Sequence, residues 1–269
     1  IDHLKNENFN SNHLDLSSIK IITSTGSPLA EESFKYVYEN IKQDVHLASI
    51  AGGTDMVGCL VLGNLYSNVY KGEIQGQSLA IDIDVFTEDG KSTKDGEKGE
   101  LVVKQPFPSM PVKFWGDDTG KKYHNAYFTK FKNIWHHGDF IERTTNNGFI
   151  MRGRSDATLN PGGVRIGTSE IYQQVEDIEY ITEGLVVGQD YNDDVRIILF
   201  VTTKSNEELN EEKIKSIKLK IRKNCSPKHV PSLVIKVPAI TRTKSGKIVE
   251  LAVTKIIHGE TINNKEAIA

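Results

Sequence analysis

Arg154-Ser155-Asp156-Ala157-Thr158-Leu159-Asn160-Pro161-Gly162-Gly163-Val164-Arg165-Ile166-Gly167-Thr168-Ser169-Glu170-Ile171 is the stretch on which the reading of the fold turns. It joins two arginines, a turn-forming Asn-Pro-Gly-Gly run and a capped helix start at Thr168. A plain interdomain loop needs neither both arginines nor so much backbone freedom. Gly162 and Gly163 lack a Cβ, so a ligand or a narrow channel can pass close to the main chain. The hydrophobic pattern restarts beyond it, which places a domain boundary between residues 155 and 156.

Downstream, Ile171, Val175 and Ile178 mark one helix face, and Ile214, Ile217 and Ile221 another. Residues 185–187, 195–201 and 233–237 read as strands and 249–257 as a last helix. Residues 156–269 are therefore expected to form a small α+β domain. Upstream, an apolar run at 16–22 is followed by Thr23-Ser24-Thr25-Gly26-Ser27-Pro28 and by a helix with Phe34, Val37 and Ile41 on one face. Pro28 suits the first helical position and Ser27 the cap, with Glu31 and Glu32 favouring the positive end of the dipole. Between 69 and 103 short alternating runs separated by glycine-containing turns predict antiparallel sheet or a small barrel. The whole is read as α/β plus α+β: residues 1–155 with a partial α/β sheet and a small β-barrel-like part, then residues 156–269.

The totals exclude several classes. A length of 269 residues suits two domains, or one plus part of another. With 38% hydrophobic and 26% charged residues the chain has the balance of a soluble globular protein. A formal net charge of −3 offers no surplus of cations for a nucleic-acid backbone. No apolar run approaches the ~20 residues of a bilayer span. Cys59 and Cys225 are far apart and show no metal-type spacing, which suits a cytoplasmic protein without disulfides. The polar start, without Met or a signal-type core, reads as a cut rather than a beginning.

Four shorter motifs carry chemistry, each with an ordinary alternative. Gly26-Ser27-Pro28 lies where a strand gives way to a helix, where ligands settle in open α/β sheets, although any such turn uses these residues. Gly52-Gly53-Thr54-Asp55 sets a hydroxyl beside a carboxylate with little bulk in front. Such a pair can hold a phosphate oxygen and Mg²⁺, or simply form a turn with Asp55 as a cap. In Trp135-His136-His137-Gly138-Asp139 two adjacent histidines cannot easily face one ion, while Asp139 could accept both hydroxyls of a ribose or act as a turn former after Gly138. Thr241-Arg242-Thr243-Lys244-Ser245-Gly246-Lys247-Ile248 is a basic turn whose lysines could reach a phosphate or only solvent. The order of all five motifs makes coincidence a poor explanation.

That order, with Gly99-Glu100-Leu101 between the second and third, resembles the core motifs of the adenylate-forming superfamily of acyl-CoA synthetases, adenylation domains and luciferases. Pro106-Phe107-Pro108-Ser109-Met110-Pro111, the Trp135 to Phe140 run and the Gly153 to Thr168 run are similar to its acetoacetyl-CoA synthetase branch. The resemblance implies the C-terminal part of a large AMP-binding domain followed by a small mobile lid domain. It implies an acid, Mg-ATP and CoA as substrates, an acyl-adenylate intermediate, and acetoacetate as the acid. It assigns Gly26, Ser27 and Pro28 to the adenine, Thr54 to the α-phosphate, Asp55 to Mg²⁺, and Asp139 and Arg154 to ribose and phosphate. Lys247 becomes the catalytic cation, Asp156 the hinge, and Gly163, Arg165 and Arg222 the contacts to CoA. Gly52 falls where acetate-specific relatives carry a tryptophan, so its missing side chain is expected to widen the acyl pocket. The usual metal-binding acid is Glu, so Asp55 must reach one methylene further.

The superfamily's phosphate loop lies upstream of Gly26-Ser27-Pro28, and no such loop precedes Leu16. The chain is thus expected to be a fragment lacking the N-terminal half of the same protein and turning over poorly alone. The alternatives are a ligase for propionate, butyrate or 3-hydroxybutyrate, an adenylation module feeding a carrier protein, and a non-catalytic fragment that binds nucleotide or a partner.

Overall fold

The computed structural model describes residues 1–205, 207–244, 246–262 and 268. The chain divides into two compact units, Ile1–Met151 and Arg152–Ala269. Both mix helices and sheets, as the pattern predicts. Among the described residues no sheet closes into a barrel, and no helix is long and apolar enough to cross a membrane.

The first unit begins with α1 (Asp2–Asn6), β1 (Ile21–Ser24), α2 (Glu31–Tyr36), whose turns run on to Ile41, and β2 (His46–Ser49). β1 and β2 pair in parallel, Ile21 with His46 through Ser24 with Ser49. Phe34, Val37, Val45 and Leu47 form a small core beneath them, with Ile41 packed against it. The helix starts later than its residues suggest. Ala30 is its N-cap and makes no side-chain cap bond, so Ser27 and Pro28 stay in the approach to the helix. Three short strands follow as one antiparallel sheet, β3 (Ala51–Gly53), β4 (Gly58–Leu62) and β5 (Gly76–Gln77).

The larger sheet of this unit has the order β6-β7-β8-β9, from β6 (Ile83–Phe86), β7 (Lys98–Val103), β8 (Trp135–Arg143) and β9 (Phe149–Arg154). Leu60, Val61, Val85, Leu101, Val103, Trp135 and Ile141 are among the buried residues of its core. Between β7 and β8 lies a helix not foreseen from the aromatic stretch, α3 (Lys121–Tyr127). Gly120 precedes it at φ +69°, a conformation that suits a residue without Cβ.

The second unit contains α4 (Thr168–Val175), β10 (Ile181–Tyr191), β11 (Asp194–Thr203), α5 (Glu211–Asn224), β12 (Leu233–Lys236) and α6 (Glu250–Ile257). The two runs read as short strands belong to one long hairpin, paired from Ile181–Thr203 to Tyr191–Asp194. Asn192 and Asp193 close it with φ of +50° and +59°, both positive as a two-residue I′ turn requires. β12 adds to β11 in parallel. Ile171, Val175, Ile217 and Ile221 cover one face, while Ile240, Ile248, Val253 and Ile257 pack on the other.

Candidate functional site

In the first unit the carboxyl ends of β1 and β2 lie side by side, and both lead directly into candidate motifs. Such strand ends are where ligands settle in open α/β sheets. Gly26, two residues past β1, has φ +95° and open space where a Cβ would stand, and it is exposed with Ser27. Past β2 the chain enters the β3–β4 hairpin, whose loop is Thr54-Asp55-Met56-Val57, closed by the Val57 amide donating to the Thr54 carbonyl at 3.1 Å. Thr54 and Asp55 are exposed, and Met56 anchors the loop in the core. Val57 is strained: φ is +49° for a β-branched side chain that is 88% exposed. Strain of this kind persists where the surroundings over-determine the backbone, often beside functional groups.

Gly52 is confined by its neighbours. A Cβ there would lie 2.1 Å from the Gly58 carbonyl oxygen and 2.5 Å from the Cys59 Cα. The missing side chain therefore serves the irregular β3–β4 pairing, where the register shifts between Ala51 and Gly52.

Asp139 lies inside a strand rather than at a turn. Glu100 of β7 pairs with Phe140 while Val102 pairs with His136, so β8 bulges over residues 137–139. Gly138, at φ +82°, makes the bulge possible. Asp139 and His137 are consequently both buried. The adjacent histidines face different partners. His136 Nε2 meets the fully buried Glu100 carboxylate at 2.9 Å, which Lys130 Nζ also reaches at 2.5 Å. The indole N–H of Trp135 donates to His137 Nδ1 at 3.2 Å, and His137 Nε2 lies 3.7 Å from Asp139 Oδ2.

The hairpin loop and β8 are joined by two links that span more than 70 residues of sequence. A Cβ on Gly53 would stand 2.9 Å from His137 Cε1, so only glycine admits this close approach. The Tyr127 hydroxyl donates to Asp55 Oδ2 at 2.5 Å. Its ring stacks on Trp135 with centroids 3.6 Å apart and planes 12° apart. Trp135 and His137 lay inside a quoted motif but were given no role, and Tyr127 was not singled out; Tyr123, Tyr127 and Phe128 at helical spacing were its signal.

In the second unit Arg154 Nε faces Asp156 Oδ1 at 3.3 Å, both about half exposed. Gly153, at φ +116°, has the Thr168 hydroxyl 2.8 Å from where its Cβ would be. Thr168 and the Tyr172 hydroxyl, the latter at 2.6 Å, both bond to the Glu250 carboxylate. Burial pushes Glu250 above the usual carboxylate range despite these bonds, and Asp156 adds to the rise. Burial also raises the Tyr172 phenol, with Glu250 adding to it.

Arg165 reaches the Thr158 hydroxyl at 3.4 Å and the Ser155 carbonyl at 3.5 Å, which folds residues 155–165 back on themselves. Gly163, at φ +75°, faces open space. Arg222 stands on a separate element, exposed in the last turn of α5 along a shallow groove with Lys215, Lys218 and Leu219.

Lys247 is exposed on a loop closed by its own backbone. The Thr243 amide donates to the Lys247 carbonyl at 2.8 Å, and the Lys247 amide to the Thr243 hydroxyl at 3.1 Å. Arg242 clamps the loop to β10 through Glu183 at 2.6 Å and reaches the Gly246 carbonyl at 2.7 Å. Ser245 of this motif lies outside the described residues.

No family model matches the chain. It is 57% identical over 255 residues to the acetoacetyl-coenzyme A synthetase of Rhizobium meliloti (strain 1021), covering 95% of this chain and 39% of that protein. It is 44% identical over 256 residues to the acetoacetyl-CoA synthetase of Gallus gallus, covering 94% of this chain and 38% of that one. Among solved structures, acetoacetyl-CoA synthetase from Streptomyces lividans matches with a TM-score of 0.87 and 37% identity, over 96% of this chain and 40% of that chain. A benzoate CoA ligase from Burkholderia xenovorans LB400 shares the fold, with a TM-score of 0.75 and 23% identity over 88% of this chain and 46% of its own. The chain thus spans about two fifths of the length of the curated relatives it matches.

Proposed function

We propose that this chain, which belongs to the acetoacetyl-CoA synthetase family of adenylate-forming ligases, contributes the nucleotide-reading and lid portions of an acetoacetate–CoA ligase. The reaction joins acetoacetate to AMP with release of pyrophosphate, and the CoA thiol then displaces AMP to give acetoacetyl-CoA. Residues 1–155 act as part of the AMP-binding domain and 156–269 as the small lid domain. Cys59 and Cys225 form no disulfide, which goes with a cytosolic setting.

The observation that carries the reading is the meeting of Thr54-Asp55 with Asp139 through Gly53, His137 and Tyr127. Asp139 accepts the ribose hydroxyls, and its carboxylate already points from a fixed bulge, so little is spent on ordering it. Arg154 contributes a second contact to ribose and phosphate. Gly26, Ser27 and Pro28 meet the adenine, with open space where a Cβ on Gly26 would stand. Thr54 donates its hydroxyl to the α-phosphate.

Asp55 fits a magnesium ion held by one carboxylate and by phosphate oxygens: it is exposed, and the Tyr127 hydroxyl orients it from one side. The ion, when bound, would neutralise phosphate charge. Lys247 supplies a cation where negative charge grows during in-line displacement. Asp156 is the pivot between the half-reactions. Gly163, Arg165 and Arg222 line the approach of CoA.

The test is a graft of this chain into the Rhizobium meliloti relative in place of the matching segment, followed by acid- and CoA-dependent AMP release. Acetoacetate is expected to outcompete propionate, butyrate and 3-hydroxybutyrate. Preference for another of these acids would reassign the substrate, and binding of nucleotide without turnover would leave only a binding role.

A further inference from the structure

We infer that His137 is a positioning residue, a strut that sets the Asp139 carboxylate and the Thr54–Val57 loop at a fixed spacing; the inference rests on the reading of Asp139 as the ribose acceptor. Three independent contacts meet on this one buried ring. On one side the Trp135 indole, which can only donate, gives its hydrogen to Nδ1 at 3.2 Å. Nδ1 must then be the acceptor, so the neutral ring carries its proton on Nε2. On the other side that Nε2–H faces Asp139 Oδ2 from 3.7 Å. This is longer than a hydrogen bond, and it is a spacing that a ligand-induced closure or a bridging water converts into one. Along its edge, Cε1 rests where a side chain on Gly53 would be, 2.9 Å from that Cβ position.

The arrangement has a directional logic. A carboxylate that accepts two hydroxyl hydrogens has lone pairs to spare, and a donor placed behind it fixes which of them face the ligand. The donor must not switch tautomer, and Trp135 enforces that. Trp135 is in turn immobilised by Tyr127, stacked on it at 3.6 Å, and by Phe107, edge-on at 5.5 Å. The same Tyr127 holds Asp55. The ribose acceptor and the metal-binding loop are therefore referenced to one aromatic stack, and His137 transmits the reference to Asp139.

Two measurements on the chain test this. Long-range ¹H–¹⁵N spectra of the His137 ring are expected to show the Nε2-protonated tautomer in the wild type and a mixture in Trp135→Phe. An Nδ1-protonated ring in the wild type would overturn the inference whether or not nucleotide binds. The second measurement compares titrations with AMP and with 2′,3′-dideoxy-AMP, which lacks the hydroxyls Asp139 would read. A preference of about tenfold or more for AMP is expected, reduced towards unity by Asp139→Asn and equally by His137→Phe.

His137→Gln, whose amide nitrogen can stand in for Nε2, should restore part of the preference, which a loss of packing alone would not explain. Full preference retained in His137→Phe, alongside loss in Asp139→Asn, would refute the strut. A wild type with no preference for AMP would instead refute the ribose assignment, with the tautomer measurement then deciding the strut.

Discussion

Asp139 and Lys247, two of the charged side chains in the proposed chemistry, are held in opposite ways. Asp139 is buried in a bulge of β8, faced by His137 and backed by the Trp135 stack. Lys247 is exposed; only the backbone of its loop is fixed, by Thr243 and by the Arg242–Glu183 clamp. A group that must recognise the same two hydroxyls in every turnover gains from rigidity, because ordering a side chain at binding costs about 0.5–1.5 kcal/mol. A group that serves one half-reaction and must be absent from the other gains from a long, unattached stem on a firmly closed loop.

The sharpest attempt to break this contrast is Lys247→Ala in the grafted enzyme. AMP release is expected to fall about 10²–10³-fold, the usual cost of one preorganised charge-stabilising group. AMP affinity of the chain should not change. A loss of affinity instead would make Lys247 a ground-state binder like Asp139. Asp139→Asn should do the reverse, weakening AMP binding roughly tenfold or more by calorimetry; unaltered affinity would leave the buried carboxylate without its proposed role.

Glu250 sharpens the contrast within the second unit, three residues past Lys247. Its folded-state pKa is raised mainly by burial, so ionising it costs stability. The sign follows: below the unfolded value the group is neutral in both states, and stability is lost as pH rises through the folded value. Thermal melts from pH 4 to 8 should show this loss in the wild type and a flatter profile in Glu250→Gln. An identical slope in both would mean that the carboxylate ionises without strain. The smallest effect is expected in the first unit. Val57→Gly should relieve a left-handed valine worth about 1–2 kcal/mol against a glycine entropy cost of about 0.5–1 kcal/mol, for a net gain of up to about 1.5 kcal/mol in urea denaturation. A destabilised variant would show that the exposed valine is packed by a neighbour in solution.

Much of the fold was legible because it is encoded over short spans. Ile214, Ile217 and Ile221 sit one helical turn apart and pack inward from α5 with only Ile214 partly exposed. The alternation around 81–86 and 101–103 becomes β6 and β7, paired from Ile83–Val103 to Phe86–Glu100. The helix over 121–127 was missed, since its aromatic face packs against Trp135 rather than repeating an apolar stripe of its own. The start of α2 was placed too early because Ser27 and Pro28 suit a helix entrance chemically, yet the chain first runs extended through Ala30. The site was legible as an order of motifs, and its wiring was not: Tyr127 finds Asp55 at a separation of 72 residues.

By itself the amino-acid order determined which groups are available: a hydroxyl–carboxylate pair at Thr54 and Asp55, a carboxylate at Asp139, two arginines flanking a glycine turn, and a lysine near the end. Those are properties of residue type and spacing. The tertiary structure alone decided how each is presented. Gly138 takes a positive φ because β7 pairs on either side of it, and that bulge buries Asp139 behind His137. Gly52 is glycine because the backbone of β4 occupies the space of a Cβ. Both depend on where a second strand lies, and no local pattern of side chains records that.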